Sequence, residues 1–147
     1  MKTLHYKTKI NAPKEKVWDA MLEPETYKIW TEPFGEGSYY EGSWDKGSRI
    51  KFLSPGGDGM FSEIADNRKY EFVSIKHLGI FKNGVEDTDS AEAKEWTSVF
   101  ENYTFTGKNG NIEVKVEMTN VPDNYQEMFD KMWPNALDKL KQICEKT

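Results

Sequence analysis

The stretch from Asp123 to Glu145 constrains the fold most. Tyr125, Phe129, Met132, Ala136, Leu140 and Ile143 recur there at intervals of three and four, and Met128, Leu137 and Cys144 widen the stripe. Asp130, Lys131, Asp138, Lys139, Lys141, Gln142 and Glu145 take the other side. The pattern predicts one helix with one apolar face, about 23 residues and roughly 34 Å long. That face must be buried against another layer. Asp123 is placed to cap the helix, with Gln126 three residues on. Pro134 lies inside the pattern and predicts a kink or broken turn near residues 130–134.

The other layer is legible upstream. In residues 2–10, Leu4, Tyr6, Thr8 and Ile10 alternate with His5, Lys7 and Lys9, the period of a half-buried strand. Asn11 can cap a helix that Pro13 and Lys14-Glu15 open, with Val17, Trp18, Met21 and Leu22 as its stripe. Pro24 ends it and starts a second short helix holding Tyr27, Ile29 and Trp30. Short apolar segments between turn residues then predict strands at Ser38–Trp44, Arg49–Leu53, Gly59–Ala65 and Tyr70–Phe81. The polar, acidic residues Asn83–Lys94 read as an exposed loop. Strands at Trp96–Thr106 and Asn111–Thr119 follow, joined by a hairpin at Gly107-Lys108-Asn109-Gly110.

This order, a strand, two short helices, six strands and a long helix, predicts an α+β fold. A curved antiparallel sheet wraps around the long C-terminal helix, with the two short helices plugging one end. Residues 1–147 are expected to form a single domain.

Composition narrows the function. A net charge of −5, with lysines scattered among acids, argues against nucleic acid and anionic membranes. No apolar run is long enough for a membrane span. The N-terminal residues have no apolar targeting segment and Cys144 has no partner for a disulfide, so a cytoplasmic location is expected. Two histidines and one cysteine, far apart, give no metal-ligand spacing. Neither a Gly-x-Ser-x-Gly nucleophile motif nor a Cys–His pairing is present. Pro55-Gly56-Gly57-Asp58-Gly59 lacks the Gly-Lys-Ser/Thr ending of a phosphate loop and reads as a hairpin turn. The acids Asp87, Asp89, Glu92 and Glu95 read as a solvated loop rather than a partner surface. No cofactor is expected.

Several stretches carry a resemblance. Ala12-Pro13 at the strand end, Val17-Trp18, Pro24-Glu25, Trp30, Glu36-Gly37-Ser38-Tyr39, Gly59-Met60-Phe61-Ser62-Glu63-Ile64 and Trp133-Pro134-Asn135-Ala136-Leu137-Asp138-Lys139-Leu140-Lys141 resemble the START-like (SRPBCC) superfamily. Within it the chain is similar to the activator of heat-shock-protein-90 ATPase homologue-like family. The resemblance spans nearly the whole chain and implies a helix-grip fold with a cavity between sheet and C-terminal helix. It implies a small hydrophobic ligand, or a chaperone as partner. Nothing here matches the Asn- and Trp-rich N-terminal domain of the eukaryotic activator, so the fold transfers more readily than the co-chaperone activity.

Polar residues at inward strand positions are the sharpest chemical signal, because an unpaired buried polar group costs about 1–3 kcal/mol. Glu101 shares its parity with Val99, Tyr103 and Phe105, and His77 shares its parity with Val73, Ile75, Gly79 and Phe81. If both faces point inward, a carboxylate and an imidazole meet one hollow. A β-bulge would reverse the parity, and either group could be purely structural. Aromatic and Met side chains would supply the rest of the lining. The expected ligand-binding set is Trp30, Phe52, Phe61, Ile75, His77, Glu101, Tyr103, Met128, Phe129 and Met132. Three functions compete: a non-catalytic ligand-binding domain, a chaperone-modulating interaction domain, and a cavity enzyme of cyclase or hydrolase type.

Overall fold

The alternating segments become strands whose register decides which side each residue takes. The computed structural model describes residues 2–108 and 110–146. It shows β1 (Lys2–Ile10), β2 (Tyr39–Gly42), β3 (Arg49–Leu53), β4 (Gly59–Arg68), β5 (Phe72–Lys82), β6 (Val85–Asp87), β7 (Phe100–Lys108) and β8 (Asn111–Val121). Among the described residues these form one antiparallel sheet in the order β1-β8-β7-β5-β4-β3-β2, with β6 paired to β5. The helices are α1 (Lys14–Leu22), α2 (Pro24–Trp30), α3 (Ala91–Trp96) and α4 (Gln126–Glu145), with 3-10 turns at Glu32–Phe34 and Asp123–Tyr125. This is the α+β helix-grip arrangement: an open curved sheet, a long C-terminal helix across it, and two short helices after the first strand.

β8 shows why the alternation works. Ile112, Val114, Val116 and Met118 are almost wholly buried while Glu113, Lys115 and Glu117 between them are not. Against that face α4 presents Phe129, Trp133, Ala136, Leu137, Leu140 and Cys144, all buried. Removing such side chains from water, at about 25 cal/mol per Å² of apolar surface, is what holds helix to sheet.

Four sequence expectations are corrected. Residues 83–94 are not one loop. Asp87 accepts from the backbone N–H of Asp89 and Ser90, and Ser90 Oγ caps α3 by accepting from Ala93 N–H at 3.1 Å. Trp96 therefore ends a helix and points into the core instead of opening a strand, and β7 starts at Phe100. Asn11 does not cap α1. The N-cap residue is Pro13 in extended conformation, and the Asn11 backbone N–H donates to Glu145 Oε2 at 2.9 Å. Asp123 opens a 3-10 turn, leaving Tyr125 at the N-cap of α4. No turn breaks at Pro134: α4 runs through it as one helix, and the Asn135 side-chain amide donates to the Lys131 carbonyl at 3.2 Å, where the proline disturbs the ladder. The expected hairpin turn includes Asn109, which lies outside the described residues. β7 and β8 pair as far as Lys108 and Asn111.

Cys144 is buried and unpaired, and burial pushes its thiol up from 9.0 to about 11, against the opposing pull of Lys16. Native protein at pH 8 is therefore expected to leave Ellman's reagent unreacted, and one thiol should titrate once urea is added. Rapid native labelling would contradict the burial.

Candidate functional site

α4 is moored along the β1 edge. Tyr6 Oη donates to Asp130 at 2.6 Å, Lys2 Nζ to Gln126 at 2.6 Å and Lys141 Nζ to the Lys9 carbonyl at 2.8 Å. Toward β5, β4 and β3 helix and sheet part, leaving a cavity of about 590 Å³. Trp30, Phe34, Trp96 and Trp133 hold its sides. Phe52, Met60, His77, Ile80, Glu101, Tyr103 and Met118 come from the sheet, and Met128, Phe129 and Met132 from α4.

The rings that line this space also brace one another. Trp30 lies 6.0 Å from Trp133 and 6.5 Å from Tyr103, and Tyr103 lies 6.0 Å from Trp133. Their polar tips are satisfied: Trp30 Nε1 donates to the Met21 carbonyl at 3.0 Å, and Trp133 Nε1 to Met118 Sδ at 3.2 Å. Rings fixed at both ends cannot collapse into the gap as aliphatic chains would.

At the cavity wall the polar groups converge. His77 Nε2 lies 3.2 Å from Glu101 Oε1, and Tyr103 Oη donates to Glu101 Oε2. Behind the ring, Ser62 Oγ lies 2.8 Å from His77 Nδ1. A neutral imidazole satisfies all of this, with Ser62 donating to Nδ1 and Nε2–H donating to the carboxylate. Ser62 is completely buried and absent from the cavity lining, so its hydroxyl orients the ring and is not presented to a substrate. Tyr27 completes the group: it is buried, it lines the cavity, and its hydroxyl makes no hydrogen bond among the described residues.

Of the ten expected residues, Trp30, Phe52, His77, Glu101, Tyr103, Met128, Phe129 and Met132 line the cavity. Ile75 and Phe61 do not. Ile75 is fully buried between Ile64 and Glu101 in the sheet. Phe61 lies on the opposite face of β4 from its neighbours Met60 and Ser62 by plain alternation, while in β5 a bulge leaves Leu78 as an extra residue, since Ser62 pairs with His77 but Phe61 with Gly79. Within β5, parity therefore reverses after His77, and Ile80 turns to the cavity. Met60, paired to Phe52 and Ile80, faces the cavity. Phe61 covers Gly79 on the other face, where an added Cβ would approach its ring to 2.8 Å. Ser62, Met60 and Ile80 are the residues that sequence reasoning missed: alternation with Ile64 marks the first two, but carries no sign of the β5 bulge that turns Ile80 inward.

Burial first, and then the negative Glu101, holds the Tyr27 and Tyr103 phenols well above their ordinary value of 10.0. The unfolded chain thus releases these protons before the folded one. Stability contributed by these phenols and by Cys144 is complete below about pH 9 and is lost as pH rises beyond it. Urea midpoints measured from pH 8 to 11 should fall, with buried phenolate absorbance at 295 nm appearing only on unfolding. A flat profile would contradict the burial of both hydroxyls.

Among the described residues, no group of His, Cys, Asp and Glu could hold a metal ion, and no helix is long and apolar enough to cross a membrane.

Solved structures share the fold. Protein MLL2253 from Mesorhizobium loti matches with a TM-score of 0.76 at 17% identity, covering 99% of this chain and 98% of its own. The Aha1 dimer from Colwellia psychrerythraea matches with a TM-score of 0.73 at 19% identity, covering 99% and 97%. CalU16 from Micromonospora echinospora matches at 0.69 and 14% identity, covering 97% and 76%. No curated protein is significantly similar in sequence. The model of the Activator of Hsp90 ATPase homolog 1-like protein family matches residues 11–145. With the helix-grip fold in place from β1 to α4, the chain belongs to that family, within the START-like superfamily.

Proposed function

We propose that the chain binds a small apolar or amphipathic molecule in the cavity between sheet and α4, without catalysis. The observation that carries this is a carboxylate at the wall of an otherwise aromatic and Met-rich space, gripped on both oxygens by His77 and Tyr103. A volume of about 590 Å³ suits a small molecule, and a few convergent polar groups among apolar walls are the usual make-up of a ligand site. Both ring nitrogens of His77 are engaged within the protein, which supports a structural and recognition role over a free base.

A panel of lipids, steroids and aromatic polyketides, titrated against protein carrying ¹³C-methyl methionine, tests the proposal. A ligand class that fits should move the Met118, Met128 and Met132 methyls and leave Met21, buried in α1 away from the cavity lining, in place. No movement with any class would count against binding.

A cavity enzyme is the second reading, favoured by the 3.2 Å His77–Glu101 pair facing a shared void. Mass change in a bound ligand over hours, abolished in His77→Gln, would favour it. A chaperone contact draws on family membership. Among the described residues, the exposed large hydrophobics Ile29, Val85 and Met128 sit on three different elements, which supports the small-molecule reading first. An ATPase assay with the host chaperone, unchanged by added protein, would remove the contact.

A further inference from the structure

We infer that the ligand is a cation, an apolar or aromatic body bearing a protonated amine, with the ammonium seated on Glu101. This deepens the binding role proposed above and rests on it. Glu101 is largely buried, with 16% of its side chain exposed, and the basic side chain beside it is His77 at 3.2 Å. Among the described residues, no lysine or arginine lies within 4.0 Å of it. His77 Nε2 and the Tyr103 hydroxyl each engage one oxygen of this carboxylate. Two donors leave further lone-pair positions open to a third.

The surroundings select the sign of that third group. The cavity lining contains Asp58 and Glu92 besides Glu101, against Lys82 alone, so an anion would meet repulsion. Trp30, Phe52, Trp96 and Trp133 border the same space, and the negative faces of such rings attract a desolvated cation. A neutral hydroxyl could also donate to Glu101, but it would gain neither the charge-assisted bond nor the ring attraction.

Three probes of one shape separate these cases: 1-naphthylmethylamine, 1-naphthalenemethanol and 1-naphthoate, titrated at pH 7 by calorimetry and by the methionine methyl signals. The expected order is amine, then alcohol, then carboxylate, with the amine tighter than the alcohol by roughly tenfold or more. Glu101→Gln should bring the amine down to the level of the alcohol. If the alcohol or carboxylate binds as tightly as the amine in the wild-type protein, the cation inference is overturned while cavity binding stands. If none of the three moves Met118, Met128 or Met132, the inference fails. Only failure of the wider ligand panel as well would remove the binding reading. The wild-type comparison needs no variant, so a poorly folding Glu101→Gln leaves the outcome decisive.

Discussion

Replacing Trp30 with alanine is expected to lower the unfolding free energy by about 3–5 kcal/mol, the cost of emptying a large aromatic site in a packed interior. The Trp30 ring is 1% exposed and stands between Tyr27, Tyr103 and Trp133, while its N–H closes on the Met21 carbonyl. One truncation therefore unpins α1 from α2 and removes the prop between α2 and α4. At roughly 2–4 °C per kcal/mol for a chain of this size, the melting temperature should fall by about 6–20 °C. Trp30→Phe, which keeps a ring but loses the hydrogen bond, should cost less. A loss under about 1 kcal/mol for the alanine variant would show that the aromatic brace is not structural.

Met132→Trp should do the reverse, reducing ligand affinity at least tenfold or so while changing stability by less than about 1 kcal/mol. Met132 is half-buried on α4 and points into the cavity, so a larger side chain there meets space instead of neighbours. Leu140→Trp supplies the contrast. Leu140 is fully buried on the same helix where it is closely packed, and overpacking there should cost about 1–3 kcal/mol or more. Equal destabilisation of the two variants, measured by urea unfolding, would mean that the region beside Met132 is already filled.

Much of this architecture was legible because two periods are hard to counterfeit. The three-and-four spacing from Phe129 to Cys144 and the strict alternation of β8 follow from side-chain geometry alone, and both appear in place. The inward direction of Glu101 was equally legible, since Val99, Tyr103 and Phe105 share its parity and are buried with it. The errors lie where local chemistry overrides periodicity. Ser90 turns an acidic stretch into a capped helix, and the extra residue at Leu78 reverses the face of everything after His77. Plain alternation in β4 turns Phe61 away from the site, and the β4–β5 register brings Ser62 behind the His77 ring, although no spacing links Ser62 to His77 in sequence. At Pro134 the broken turn does not occur: burial of the flanking Trp133 and Ala136 outweighs the lost hydrogen bond and keeps α4 continuous.

The gap between helix and sheet is open to direct measurement in crystals pressurised with xenon, which enters apolar voids without specific chemistry. Anomalous density between Phe52, Met118 and Met132 is the predicted result. Crystals with no density there, and α4 packed directly onto β4 and β5, would contradict the cavity on which the binding role depends.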